Sequence, residues 1–248
     1  MQKMTRRQVL YSSATAGLSL TAAWQAEAKS DKTGKLKLLV AGAHPDDPES
    51  ACGGVIALYA DAGHEVVCLY LTRGEAGIRG KSHDEAARIR TAEAEKACKI
   101  LKARPVFLTQ VDGATTVNAA AYDEMRKAIE DEKPDIVITH WPIDGHRDHR
   151  AIALLVYDAW LHMGRSFLLY YFEVEMGQQT QHFHPTHYVD ISSVLERKKE
   201  ANHVHVSQNA ENGFYKLHER MHRIRGLESG VSAAEAFIAH CQNKKAML

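Results

Sequence analysis

The chain has 248 residues, with 31 Lys and Arg against 31 Asp and Glu and a formal net charge of zero. That balance argues against an electrostatic nucleic-acid binder, and no block of like charge marks a binding tail. The length suits one α/β domain with a substantial core once a leader is set aside.

The leader is read from the first residues. Thr5-Arg6-Arg7-Gln8-Val9-Leu10 is a twin-arginine pattern, a weakly apolar run follows from Val9 to Trp24, and Ala26-Glu27-Ala28 offers a small-x-small cleavage site. Residues 1–28 are therefore expected to be a twin-arginine signal peptide sending the protein to the periplasm or the exterior. The apolar stretch is too short and too polar for a stable membrane span. Cleavage after Ala28 leaves 220 residues carrying 28 basic and 30 acidic side chains, and residues 29–248 are expected to form a single domain.

Next comes a regular alternation. Lys35 to Ala41 reads as a buried strand and Glu49 to Ala62 as a helix. His64 to Leu71 is a second strand, and a glycine-spaced loop, Thr72 to Gly80, leads to a helix from Ser82 to Lys102. Ser82 and Glu85 have capping-box spacing. Pro105 to Leu108, a helix over Ala119 to Glu132 and a strand over Ile136 to Thr139 follow, and Ile152, Leu155, Val156 and Ala159 have helical spacing. Phe167 to Phe172 and His187 to Ile191 read as strands, Ser193 to His205 and Glu211 to Ile224 as helices. Within the first of these helices, Arg197-Lys198-Lys199 reads as a solvated face.

Short apolar runs alternating with helices imply βαβ units: a Rossmann-like, doubly wound, mostly parallel α/β sheet with helices on both faces, ordered 3-2-1-4 at its core. The four cysteines (Cys52, Cys68, Cys98 and Cys241) form no C-x-x-C pair, which excludes zinc-ribbon and thioredoxin readings. Cys52, Cys68 and Cys98 read as small buried hydrophobes.

The chemistry lies in two strings. Ala43-His44-Pro45-Asp46-Asp47 follows strand one, and His146-Arg147-Asp148-His149 follows strand four. Strands one and four are neighbours at the topological switch point, where open α/β sheets hold ligands. Pro45 is expected to pre-set the first helical turn, so that His44 and Asp47 at i and i+3 face one point. His146 and His149 repeat that spacing, with Asp148 able to orient one of them through its ring N–H. His44, Asp47 and His149 make three ligands with an open position, the catalytic arrangement for a divalent metal. Asp46 is then free as general base and His146 as oxyanion or acid partner, so Asp46, His146 and Asp148 are the candidate catalytic residues. Zinc suits these ligands, with another divalent transition metal as the alternative. His182, His184 and His187, and likewise His203 and His205, cluster in sequence but read as surface or packing residues.

With AHPDD and HRDH stand Leu71-Thr72-Arg73-Gly74-Glu75-Ala76-Gly77, Arg90-x-x-Glu93, Val111-Asp112-Gly113 and His205-Val206-Ser207-Gln208. Together these resemble the LmbE-like (PIG-L) N-acetylglucosaminyl deacetylases over roughly Leu36 to Gln208. The resemblance implies zinc on His44, Asp47 and His149, and removal of acetyl from an N-acetylglucosamine-type sugar or conjugate, a small N-acetylated sugar or glycoconjugate, giving an amine and acetate. It places Glu75, Arg79 and Asp112 against the substrate. Two departures stand out: Pro48 intervenes before Glu49, and Asp144 occupies a position where some relatives carry tyrosine.

Two alternatives accompany this reading. A metal-dependent phosphoesterase usually needs two metals, and these strings supply ligands for one. A non-catalytic sugar-binding module predicts no acetate release. A dinucleotide module is excluded, because carboxylates stand where glycines should cradle a pyrophosphate.

Overall fold

The computed structural model describes residues 34–175, 177–209 and 213–243. The expected leader, residues 1–28, lies outside the described residues, as do residues 211 and 212 at the start of the last expected helix.

Four βα repeats and a fifth strand build the body: β1 (Lys37–Gly42), α1 (Asp47–Asp61), β2 (Glu65–Tyr70), α2 (His83–Leu101), β3 (Arg104–Phe107), α3 (Ala119–Glu132), β4 (Ile136–His140), α4 (Arg147–His162) and β5 (Leu168–Phe172). Then follow β6 (His187–Asp190), α5 (Leu195–His203), α6 (Phe214–Ser229) and β7 (Ala234–Ala239). The sheet order is β3-β2-β1-β4-β5-β7-β6, with β3 through β5 parallel and β7 antiparallel to both of its neighbours. The expected 3-2-1-4 core is present. Strand β7 was not foreseen: its AEAFIA sequence carries Glu235 into the interior, which breaks the apolar signal of a buried strand.

Both faces of the central strands are covered, which is why they read as continuous apolar runs. Leu38, Val40, Cys68 and Ile138 face one core with α1, α2 and α5; Leu39, Ala41, Leu69 and Val137 face the other with α3 and α4. Cys52, Cys68 and Cys98 are buried free thiols, as expected. Ser82 Oγ accepts from Glu85 N at 3.2 Å, but the Glu85 carboxylate turns to Lys81 Nζ at 2.6 Å, so only half of the capping box forms.

The 197–199 run departs from its reading. Arg197 pairs with Asp61 at the surface, whereas Lys198 is fully buried, with Nζ 2.6 Å from Glu235 Oε1. Among the described residues, no helix is long and apolar enough to cross a membrane.

Candidate active site and metal centre

β1 and β4 are hydrogen-bonded neighbours, so the loop after β1 and the start of α4 meet at the carboxyl edge of the sheet. Pro45 does not begin the helix. It is followed by Asp46 in a positive-φ conformation (φ 113°, ψ −27°), and α1 starts at Asp47 with Pro48 in its first turn. The tight reversal is closed by Asp47 N–H donating to His44 O at 3.2 Å and His44 N–H donating to Asp47 Oδ2 at 2.7 Å. Gly42 makes room for it, since a Cβ there would lie 2.6 Å from Pro48 Cδ.

Asp47, buried, is ringed by imidazoles. His44 Nδ1 lies 3.3 Å from Oδ2, His149 Nε2 3.4 Å from Oδ1 and His140 Nε2 3.2 Å from Oδ2. The ligand atoms of His44, His146 and His149 lie within 4.8 Å of one another, as do those of Asp47, His140 and His149. Burial pushes the Asp47 carboxyl up, but the imidazoles of His149 and His140 outweigh it and hold its pKa well below the usual range.

His140 is the neighbour the sequence reading missed, since it ends a strand with no second ligand at i+3. It stacks on His149 with ring centroids 3.9 Å apart. Its Nε2 accepts the Ala43 backbone N–H at 3.1 Å, which occupies the lone pair a metal would need. Burial and the His149 charge push its pKa down to about 4, so it stays neutral. Two acceptors, His140 Nε2 and Asp47 Oδ2, therefore face each other across 3.2 Å, an arrangement that calls for positive charge beside them. In the metal-free protein the imidazolium of His44 supplies it: burial opposes the charge, but hydrogen bonds to Asp112, Asp148 and Asp47 raise its pKa well above the ordinary value. His44 and His149 both converge on Asp47, a carboxylate-and-imidazole set whose chemistry suits a divalent cation, with protonated His44 supplying positive charge there.

Asp46 lies across the turn from Asp47. Burial raises its pKa to about 6, against the opposing charge of Arg90, whose Nη2 donates to Asp46 Oδ2 at 2.9 Å. A carboxylate titrating there is matched to taking and returning a proton near neutral pH.

Asp148 does not orient the histidines of its own motif. Its Oδ2 lies 3.1 Å from His44 Nε2 and accepts Gly113 N–H at 2.7 Å, while Oδ1 accepts the Thr115 hydroxyl at 2.6 Å. The reason is helical phase: one position before His149 on the first turn of α4, Asp148 points toward the β1 loop. His149 Nδ1 is met instead by Asp144 Oδ1 at 3.2 Å and by the Gln179 side-chain amide at 2.9 Å. His146 caps α4, its Nδ1 accepting Asp148 N–H at 3.2 Å, which leaves Nε2 as the proton-bearing nitrogen of the neutral ring. Burial, then the charges of His44 and His149, pushes the His146 pKa down, so of the two roles expected for it, oxyanion partner and acid, a neutral ring suits the first.

These groups share a cavity of about 540 Å3 lined by His44, Asp46, Asp47, Asp112, His146 and His149 among others. Of the three expected substrate contacts, Asp112 is in this lining, with Oδ1 3.2 Å from His44 Nε2. Glu75 stands behind it, Oε2 accepting Asp112 N–H at 3.1 Å, and so braces the wall rather than lining it. Arg79 is exposed and outside the lining. The groups able to hold a metal among the described residues include none of His182, His184, His187, His203 and His205. Arg90 and His218 line the cavity as well; Arg90 had only a motif to recommend it and His218 no local pattern.

A buried aspartate ringed by imidazoles, with a second carboxylate left over at the same cavity, is the equipment of a metal-assisted hydrolase. The comparisons give the family. The profile of PIG-L, the GlcNAc-PI de-N-acetylases, matches residues 39–160. Diacetylchitobiose deacetylase of Thermococcus kodakarensis is 31% identical over 187 residues, covering 69% of this chain and 70% of the relative. The 1D-myo-inositol 2-acetamido-2-deoxy-alpha-D-glucopyranoside deacetylase of Rhodococcus erythropolis is 32% identical over 143 residues, 46% of this chain and 49% of its own length. The chain belongs to the PIG-L family of metal-dependent N-deacetylases. Among solved structures, the 4-carboxy-2-hydroxymuconate hydratase of Pseudomonas putida shares the fold with a TM-score of 0.74 at 22% identity, covering 82% of this chain and 95% of that one. A hydratase on this fold means that the site, not the sheet, must argue the reaction.

Proposed function

We propose that this chain is a zinc-dependent deacetylase that removes the acetyl group from an N-acetylglucosamine-type sugar or conjugate, releasing acetate, and that it works outside the cytoplasm by way of the twin-arginine leader. The observation carrying the chemistry is the division of labour between adjacent carboxylates: Asp47 turned into the imidazole cluster, Asp46 turned away from it toward Arg90. The names of the two deacetylase relatives support the substrate class.

His44, Asp47 and His149 would hold the ion. When bound, it lowers the pKa of a water and polarises the acetyl carbonyl. Asp46 takes the proton from the attacking water as the new C–O bond forms. His146 donates from Nε2 toward the developing oxyanion. The C–N bond then breaks, and the proton held on Asp46 passes to the leaving nitrogen, giving acetate and the free amine. Asp148 and Asp144 hold His44 and His149 in orientation.

The test is acetate release from a panel of N-acetylated mono- and disaccharides by wild type, Asp46→Ala and metal-stripped protein. Release by wild type, falling at least about 100-fold in Asp46→Ala and restored by zinc after stripping, is the expected result. Equal turnover by Asp46→Ala overturns the mechanism, and ligand binding with no release by any form supports the sugar-binding alternative.

A further inference from the structure

Three sequence motifs that the chemistry above leaves unused meet at one guanidinium. Arg90, buried on α2, donates through Nη2 to Pro45 O at 2.5 Å and to Asp46 Oδ2 at 2.9 Å, bracketing the turn from two sides. The glycine loop is moulded around it. A Cβ at Gly74, whose φ is +71°, would lie 2.5 Å from Arg90 Nη1, and a Cβ at Gly77 would overlap the same atom. One turn further along α2, Glu93 accepts from Ser207 N at 2.8 Å and from Ser207 Oγ at 2.6 Å. The next residue, Gln208, donates from Nε2 to Gly77 O at 3.1 Å. Helix α2, the segment Val206–Gln208 and the glycine loop thus form a closed circuit around Arg90.

What the circuit grips is strained. Asp46, a residue with a Cβ, sits at φ 113° and ψ −27°, a conformation that persists only when its surroundings over-determine it. Adjacent carboxylates on an unstrained turn would both be free to reach one cation, and a carboxylate bound to the cation is a poor proton acceptor. We propose that Arg90 is a positioning residue: it holds the Asp46 turn in its strained form, so that Asp46 stays off the cation while Asp47 faces it. The glycine loop and the Ser207–Gln208 segment are built to hold Arg90. The kinetic part of the test rests on the deacetylase reading; the stability part does not.

The stability part is a double-mutant cycle by thermal melting of the full chain, with Arg90→Ala placed in the Asp46→Ala and Asp46→Gly backgrounds, both of which lack the carboxylate that pairs with Arg90. Asp46→Gly melts above Asp46→Ala, because glycine adopts that backbone freely. Arg90→Ala lowers Tm by less in the Asp46→Ala background than in the Asp46→Gly background, because the released alanine turn relaxes and recovers the strain. An equal drop in both overturns the proposal.

In the kinetic part, Arg90→Ala lowers kcat by at least about tenfold with KM changed less than about threefold, and low millimolar guanidinium restores part of the rate. A loss carried mainly by KM would make Arg90 a substrate contact and overturn the proposal. If Arg90→Ala does not fold, Gly77→Ala replaces it, displacing the guanidinium while leaving Asp46 and the three ligands in sequence, with the same kcat-dominated loss expected. Should wild type release acetate from no sugar, the deacetylase reading fails while the melting cycle still decides the role of Arg90.

Discussion

Asp144 and His149 form a carboxylate–imidazole pair: Asp144 Oδ1 is 3.2 Å from Nδ1, and the opposite nitrogen, Nε2, lies 3.4 Å from Asp47 Oδ1. Thr180 Oγ1 donates to the other Asp144 oxygen at 2.9 Å, which fixes the carboxylate. Burial raises the Asp144 pKa, but the hydrogen bond from His149 outweighs it and keeps the group ionised. The Gln179 side-chain amide also reaches Nδ1, at 2.9 Å. In the tautomer with its proton on Nδ1, held by Asp144, the Nε2 lone pair is directed at the cluster and the ionised partner makes that nitrogen more basic. Asp144→Ala is therefore expected to weaken zinc affinity by roughly 10- to 100-fold with little change in the far-UV spectrum. Chelator competition measures it. Unchanged affinity would remove Asp144 from the site.

Metal-free protein should carry the signature of Asp46 in its pH-dependence. Its folded pKa is raised from 3.8 to about 6 by burial, so the native state binds the proton more tightly than the unfolded chain. The stability this confers is fully present below pH 4 and is lost as pH rises through 6, by about 3 kcal/mol at most. Urea titrations of the apo protein from pH 4 to 7 should show that falling component, and Asp46→Asn should remove it. A slope identical in wild type and variant would show that Asp46 titrates normally.

The site was legible where ligands repeat at i and i+3 beside adjacent strands, since the topology follows from alternation alone. The meeting of His44, Asp47 and His149 falls into that class, as do β1 through β5. What was not legible depends on contacts between distant segments. The partner of Asp148 is His44, 104 residues away, and that of Asp46 is Arg90, 44 residues away; no local pattern encodes either. Pro45 looked like a helix-starting residue, yet the proline in the first helical turn is Pro48, and the intervening positive φ at Asp46 is a tertiary demand. Lys198 sat among charges and read as solvent-facing, but its environment is set by Glu235 on a strand whose own buried charge hid it.

Helix α1 offers a test of packing against propensity. Gly54 lies in its interior, where alanine is ordinarily better by about 1 kcal/mol. Here an added Cβ would overlap Ile191 Cγ2 and lie 2.9 Å from Glu235 Oε1. Ile191 is fully buried, so neither neighbour can move aside cheaply. Gly54→Ala is expected to destabilise by about 1–3 kcal/mol in spite of its helix propensity. A rise in Tm would mean that the α1 contact with Ile191 and β7 is looser than drawn.

The buried pair behind that contact makes a sharper prediction. Lys198 Nζ lies 2.6 Å from Glu235 Oε1 and 2.7 Å from His222 Nε2. The same carboxylate accepts Gly54 N–H at 2.6 Å and Val55 N–H at 2.8 Å, tying β7 to the middle of α1. Burial alone lowers the Lys198 pKa, and the nearby carboxylate is what keeps the ammonium. Removing the cation leaves a buried carboxylate with backbone donors but no counter-charge, which costs about 3–5 kcal/mol, whereas neutralising both partners removes the unpaired charge as well. Lys198→Met should therefore be markedly less stable than Lys198→Met/Glu235→Gln, although the double variant changes more residues and gives up the same ion pair. Denaturant melts of the four proteins in the cycle decide it. If the double variant is the less stable of the two, the pair contributes by packing and hydrogen bonds rather than by charge compensation.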